Sequence, residues 1–227
     1  MTTSGGGLTV TPKTYTELVR KSILAGILIG MAAMFSMSVA EYGPLVQGLC
    51  FSVGLFGIVA SNAALFTGRM LAWGHVLDKD VTVGYMLTEW AEVLAFNLTG
   101  IAITCALANG IGFDASAIAV AKASMPWGEI LVRAFFCNIM VCLAVNCGRW
   151  ATSVADWFFA CLMPVACFVT CGFEHSIADM FYMFLGLRNG AVDIWSALYV
   201  ISLAVIGNVL GGSTYALLSY ERRKQNA

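Results

Sequence analysis

The sequence predicts an all-α membrane protein with six transmembrane helices. Of its 227 residues, 59% are hydrophobic and 11% are charged, and the mean hydropathy is +0.83. Because soluble domains are about 45–50% apolar and about 25% charged, this chain cannot cover a soluble globule with polar surface. Disorder is excluded by the same composition, and the long apolar runs are unlike the short alternating segments of a β-barrel. A net charge of −1 without a basic stripe argues against a nucleic-acid partner.

Six apolar runs are the candidate spans, since a helix needs about 20 apolar residues to cross a bilayer. In chain order they cover residues 23–40, 45–64, 91–107, 130–145, 157–171 and 194–218. The eight cysteines lie in, at the ends of, or close to these runs and form no C-x-x-C pair. We therefore interpret them as packing residues rather than as disulfides or a zinc site.

The distribution of Lys and Arg predicts the orientation, because cytoplasmic loops carry an excess of both. Nine of them fall on the side of the two termini: Lys13, Arg20, Lys21, Arg69, Lys79, Arg149, Arg222, Arg223 and Lys224. Three fall on the other side: Lys122, Arg133 and Arg188. We expect a multi-pass protein of the cell membrane, the inner membrane where there are two, with both termini in the cytoplasm.

Two spans are followed by polar, glycine-containing interruptions, at residues 65–73 and 172–181. Within lipid, such a break must line a cavity or be buried in protein, and paired breaks in two halves indicate a pore or binding site. The next span in each half carries N-x-x-G, at 97–100 and 208–211. The sequence therefore predicts one transmembrane domain over 1–227, built from inverted repeats of three spans at about 15–110 and 125–220.

Three polar residues are candidates for a site. His175, beside Glu174 in an apolar region, is ionisable near neutral pH, although it could also be a histidine hydrogen-bonded between helices. Thr67 lies in the first break and would face His175 if the breaks meet, or else bond its own helix. Lys122 could attract anions or be a solvated loop lysine. The other histidine, His75, we interpret as a solvated loop residue.

Bulky apolar residues near the breaks could form constrictions that resist hydrated ions, or simply belong to the core. They are Phe51, Leu55, Leu65 and Phe168. The G-x-x-x-G pairs at 26–30 and 207–211 suit close helix approach within or between subunits.

Three segments resemble motifs of the formate/nitrite transporter family. Residues 172–181, GFEHSIADMF, are similar to its G-[FY]-E-H-S-I-A-N-M segment. Residues 138–145, NIMVCLAV, resemble its N-x-x-V-C-L-A stretch, and 65–68, LFTG, resemble its L-F-T-[SG] loop. Together with the two N-x-x-G sequences, the resemblance extends over nearly the whole chain.

The resemblance implies an aquaporin-like fold, a homopentamer with one pore in each protomer, and passage of formate, nitrite, hydrosulfide, acetate or lactate. It implies no cofactor, and we expect no metal. By motif, His175 would be the central pore histidine and Thr67 its hydrogen-bond partner, Lys122 the outer-vestibule lysine and Asn138 a pore asparagine. Leu55, Leu65 and Phe168 would form constrictions, with Phe51 nearby. Glu174 and Asp179 flank the histidine and complete the candidate set.

Three positions depart from the resembled pattern. Ala64 stands where an acidic residue usually precedes L-F-T, Arg69 where small polar residues are common, and Asp179 where the motif has asparagine. A carboxylate at Asp179 would oppose anions, and Arg69 is a candidate to offset its charge.

The expected function is a channel for small monovalent anions, formate first. An outer anion would meet Lys122, cross a constriction at Phe168, reach Thr67 and His175, and leave past Leu55, Leu65 and Phe51 on the inner side. Protonation at or near His175 would ease the passage; alternatively, the histidine stays charged and the anion passes bare.

Other functions stay open beside this one. Within the same family, nitrite or hydrosulfide could be the substrate. Outside it, an aquaporin-like pore for neutral solutes would favour N-P-A motifs, which are absent. A membrane enzyme using Glu174, His175 and Asp179 lacks a nucleophile or cofactor motif, so we expect no enzyme. A structural subunit of a larger complex would transport nothing.

Overall fold

A computed structural model describes residues 14–148 and 151–221. Five residues of the charge count, Lys13, Arg149, Arg222, Arg223 and Lys224, lie outside these ranges. Within them the chain forms nine α-helices: α1 Tyr15–Ser38, α2 Pro44–Ala60, α3 Trp73–Leu77, α4 Val83–Gly110, α5 Ser116–Ala123, α6 Trp127–Cys147, α7 Val154–Thr170, α8 Ser176–Arg188 and α9 Ile194–Leu218. Two 3₁₀ segments, Ala40–Tyr42 and Phe66–Ala72, accompany them. The predicted all-α class is confirmed.

Four of the described helices, α1, α4, α6 and α9, are long and apolar enough to cross a membrane. The helices α2 and α7 are apolar but shorter, with 17 residues each. Large apolar side chains such as Leu107 and Trp195 point outwards. This outer surface suits a lipid environment, where exposed apolar groups carry no penalty.

Several helices begin before the apolar runs that predicted them, because polar caps start them. Thr82 Oγ1 accepts a hydrogen bond from Tyr85 N at 3.2 Å, so α4 begins eight residues before position 91. Thr14 starts α1 in the same way, through Glu17 N. The run 45–64 extends too far, since α2 ends at Ala60 and Ala64 N instead donates to Lys21 O at 3.1 Å.

The helices pack in matching sets. The first set has α1 against α4 and α2, the second has α6 against α9 and α7, and α2 packs on α7. Small residues permit the close contacts: a Cβ on Gly26 would collide with the backbone of α4 at Asn97, and one on Gly211 with the backbone of α6 at Phe135. The glycine pairs were predicted to allow close helix approach within or between subunits. Gly26 and Gly211 allow it between helices of the same chain.

Two asparagines hold the segments that follow α2 and α7. Asn97 on α4 accepts from Phe66 N at 2.8 Å and donates to Ser22 O and Ala64 O, both at 2.8 Å. Asn208 on α9 accepts from Ser176 N at 2.9 Å. Its amide donates to Ala134 O and Glu174 O at 2.8 and 2.9 Å. Buried backbone groups freed where a helix ends therefore regain partners.

Candidate functional site

An imidazole links the segments that follow α2 and α7. His175 is the N-cap of α8, where its Nδ1 accepts a hydrogen bond from Ala178 N at 3.2 Å. Its Nε2 lies 3.2 Å from Thr67 Oγ1, and both residues are buried. The expectation that Thr67 and His175 face each other is confirmed.

The hydrogen bonds also assign the proton on this ring. Because Nδ1 of His175 accepts a backbone N–H, it carries no proton in this arrangement. In the neutral imidazole the proton is therefore on Nε2, which donates to Thr67 Oγ1. The Thr67 hydroxyl keeps its own O–H free to donate to another group.

Two phenylalanines enclose the imidazole. The Phe168 ring stacks on it with a centroid distance of 5.9 Å and an interplanar angle of 15°. The Phe51 ring meets it edge-on at 6.5 Å and contacts Phe168 at 5.9 Å. The expectation that Phe51 lies on the inner side, apart from Phe168, is therefore wrong, because residues on α2 and α7 come together where those helices pack. Leu55 and Leu65 are buried in the core.

The imidazole and the two phenylalanines line a cavity of about 230 Å³. Its lining combines the two phenylalanines and His175 with a charged cluster of Lys122, Glu174 and Asp179. The remaining lining residues are mostly apolar: Ser36, Gln47, Ile118, Val169, Gly172, Phe173, Ala178 and Tyr182. A space of this size, apolar with a few polar groups, suits a molecule of a few heavy atoms.

The charged cluster is compact and buried. Lys122 Nζ lies 2.5 Å from Glu174 Oε2 and 2.8 Å from Asp179 Oδ1, with the three side chains 14%, 4% and 1% exposed. The lysine is on α5 rather than in a solvated loop. The expectation that Arg69 offsets Asp179 is wrong: Lys122 pairs with that carboxylate, and Arg69 lies 3.3 Å from Glu89 on α4.

Two other candidates lie elsewhere. Asn138 on α6 donates from Nδ2 to Asn208 O at 2.7 Å and is not part of the cavity lining, so its place in a pore stays a prediction. His75 lies on α3 with Nδ1 3.0 Å from Asp80 Oδ2. It is half-buried, which corrects its interpretation as a solvated loop residue.

Three residues that contact the site or its neighbours were not among the site residues predicted from the sequence. Arg133 on α6 donates to Gly172 O at 2.7 Å, at the rim of the cavity. Lys122 Nζ lies over the Tyr182 ring, 5.6 Å from the centroid of that ring. Glu89 is buried in the first turns of α4. A signal for Glu89 did exist, because a carboxylate so close to an apolar span is normally paired.

The fold and the site define a membrane transport protein. The family model described as formate/nitrite transporter matches residues 5–221, and the chain belongs to this family. This is a family of transporters, unlike the enzyme considered above.

Individual relatives agree with this assignment. The chain is 30% identical to a probable formate transporter of Methanothermobacter thermautotrophicus, over 90% of this chain and 87% of the relative. It is 31% identical to the formate channel FocA of Escherichia coli strain K12, over 88% and 83%.

Two solved structures share the fold. One is an FNT family ion channel with a TM-score of 0.82, at 23% identity over 88% of this chain and 87% of the other. The second is a pentameric formate channel with formate bound, with a TM-score of 0.76, at 26% identity over 89% and 94%.

Proposed function

We propose that this chain forms a channel for small monovalent anions, with formate as the first substrate. The observation that carries the proposal is the buried contact of 3.2 Å between His175 Nε2 and Thr67 Oγ1, within a cavity that also contains a lysine. An N–H and an O–H placed together can both donate to one small anion. The relatives named formate channels and the formate-bound structure support the same substrate.

The proposed channel has six spans in an inverted repeat within one domain. Two of the spans are interrupted: α2 continues through Phe66–Ala72 into α3, and α7 continues through residues 171–175 into α8. The matching partners of Asn97 and Asn208 support the repeat. With three spans in each half, the halves have opposite orientations and both termini are cytoplasmic. The proposed assembly is a homopentamer with an aquaporin-like pore in each protomer, and the pentameric relative supports the number of subunits.

The path begins at Lys122, which attracts the anion from the outer side. The anion then passes between Phe51 and Phe168 and reaches His175 and Thr67. There it replaces Thr67 Oγ1 as the acceptor of the Nε2 proton, while the Thr67 hydroxyl turns to donate to it. Beyond this point Leu55 and Leu65 form the inner constriction, and Asn138 contributes to the pore wall.

A proton accompanies the anion in this mechanism. A bare anion between phenyl rings loses its hydration, which costs many kcal/mol. A second proton on Nδ1 of His175 would point at the N–H of Ala178, 3.2 Å away, so the hydrogen bonds favour the neutral ring. The neutral Nε2–H keeps its proton and donates a hydrogen bond to the passing anion. The anion takes a proton from hydronium at the mouth of the cavity, leaving water, and crosses as the neutral acid, so transport becomes coupled to protons.

Reconstituted protein tests the proposal. Proteoliposomes should conduct formate, with nitrite and hydrosulfide as compared substrates and water flux measured by stopped flow. His175→Asn should change the pH dependence of formate flux, and the matched control His75→Asn should leave it as it is. Unchanged flux in His175→Asn at every pH would remove this residue from the mechanism. Water flux without anion flux would instead indicate a neutral-solute pore.

A further inference from the structure

The cluster of Lys122, Glu174 and Asp179 contains one carboxylate more than its lysine can neutralise. Lys122 Nζ lies between the two acids, 2.5 Å from Glu174 Oε2 and 2.8 Å from Asp179 Oδ1. The second oxygen, Asp179 Oδ2, is buried and has no hydrogen-bond partner among the described residues. A buried, unpartnered carboxylate oxygen is unfavourable as an anion and becomes favourable when it holds a proton.

Among the residues that the structure describes, no second cation pairs with Asp179. On the described residues, the titratable groups around it are Lys122 on α5, Glu174 and His175 just before α8, Tyr182 on α8 and Cys137 on α6. From α4, the Cys105 thiol lies 3.6 Å from Phe181 O. The guanidinium groups on α6 and in the Phe66–Ala72 segment bind other partners: Arg133 binds Gly172 O and Glu129, and Arg69 binds Glu89.

We propose that Asp179 is a proton-binding residue that controls anion entry at Lys122. A proton from the outer water binds Asp179 Oδ2 and leaves the cluster neutral, so that Lys122 can accept a small anion. When Asp179 is ionised the cluster carries a net negative charge and repels the anion. This inference rests on the proposed anion channel, and it adds a proton site separate from His175.

The location of the cluster makes this control effective. Lys122, Glu174 and Asp179 line the same cavity as His175, Phe51 and Phe168. In this small, mostly apolar space, the uncompensated negative charge of the cluster acts on the anion with little screening by water. A proton bound here therefore changes the local anion concentration before the constriction is reached.

The substitution Asp179→Asn separates the contact of this residue with Lys122 from its ability to ionise. Asparagine keeps the size and the Oδ1 acceptor toward Lys122 but cannot ionise, so the cluster stays neutral at every pH. The test measures formate flux into proteoliposomes from about pH 5 to about pH 8, for wild type, Asp179→Asn and the control Glu41→Gln. Glu41 is an exposed carboxylate on the Ala40–Tyr42 turn. The ratio of variant to wild-type flux removes effects of pH on formate itself.

We expect this ratio to be near one at acidic pH and to rise about tenfold at alkaline pH for Asp179→Asn. For Glu41→Gln it should stay constant. Glu174→Gln removes the same charge from the other side of Lys122 and should raise the ratio in the same direction, which covers a failure of Asp179→Asn to fold. A constant ratio for both cluster variants overturns the proposal.

Infrared spectroscopy gives a readout that does not need transport. Titration of the reconstituted wild type should show the band of a protonated carboxyl group that is lost on raising the pH and absent in Asp179→Asn. An identical band in both proteins overturns the proton site. If wild-type vesicles carry no formate, the proposed channel fails, and the infrared titration still decides whether Asp179 binds a proton.

Discussion

The segments that follow α2 and α7 are held by similar hydrogen bonds but carry different side chains. In the first, Asn97 binds Ala64 O and Phe66 N, and the residue between them is Leu65. In the second, Asn208 binds Glu174 O and Ser176 N, and the residue between them is His175. The same pair of hydrogen bonds from an asparagine therefore holds an apolar side chain, Leu65, in one half and an imidazole, His175, in the other.

The charges near each segment differ as well. Arg69, in the 3₁₀ segment of the first half, is balanced by Glu89 on α4. In the second half the single lysine on α5 faces two carboxylates. The first arrangement has one cation for one carboxylate, whereas the second has one carboxylate more than its lysine can neutralise. The two halves therefore share the backbone contacts of an asparagine and differ in the side chains that the held segments carry.

The largest effect should come from removing either asparagine. Asn97→Ala and Asn208→Ala each leave two buried backbone groups outside the helices without a partner, at about 1–3 kcal/mol for each group. We expect the free energy of unfolding in detergent to fall by about 2–6 kcal/mol in both variants. Asn109→Ala, near the end of α4, is the control. A loss below about 1 kcal/mol in one half only would break the comparison.

The close helix contacts should give the next largest effect. A Cβ at Gly26 or Gly211 collides with backbone atoms of the neighbouring helix, which can yield only by moving. Gly26→Ala and Gly211→Ala should each lower the free energy of unfolding by about 1–3 kcal/mol. Gly110→Ala, with no atom within 4 Å of the new Cβ, should change it by less than about 1 kcal/mol. Equal effects at all three positions would contradict this interpretation.

Thr67 is the contribution of the first half to the site, and its removal should affect flux more than stability. Thr67→Val keeps the shape and loses the partner of His175 Nε2, which corresponds to about a tenfold loss of formate flux. Thr67→Ser keeps the hydroxyl and should retain most of the flux. Stopped-flow uptake in proteoliposomes measures both variants. Full activity in Thr67→Val would show that the hydroxyl takes no part in conduction.

The smallest effect concerns the caps that start α4 and α9. Backbone and side-chain hydrogen bonds from Ser196 lower the pKa of Asp193, which caps α9 from outside the span. Its stabilising contribution is therefore present at neutral pH and is lost as the pH falls below about 4, through the lowered folded-state pKa. Thr82 caps α4 without a titratable group.

Thermal unfolding should separate these two caps. Asp193→Ala should lower the melting temperature slightly at neutral pH, with the difference disappearing in acid. Thr82→Ala should lower it at both pH values. A difference for Asp193→Ala that persists in strong acid would contradict the role given to its carboxylate.

Local patterns predicted the helices well and the contacts between distant residues poorly. Hydropathy placed 194–218 as observed in α9, because apolar side chains continue to both ends of that helix. It missed the first eight residues of α4, where Glu89 is buried against Arg69. Burial of a charge depends on a partner 20 residues away, and no local pattern contains that information.

The same limit applies to the site. Thr67 and His175 were matched because each lies in a break, and two breaks have few ways to meet. The pairing of Lys122 with Asp179 joins residues 57 positions apart on different helices, so sequence suggested the wrong cation, Arg69. Phe51 was placed apart from Phe168 because the sequence of α2 does not indicate which turn of this helix faces the cavity.

The asparagine contacts also set an order of assembly during synthesis. Ala64 O and Phe66 N lack the side chain that binds them until Asn97 has left the ribosome, after which the first half can close by itself. The second half must wait in the same way for Asn208 on α9. His175 is made before Asn208 can hold its segment, so the site is completed only after α9 has been added.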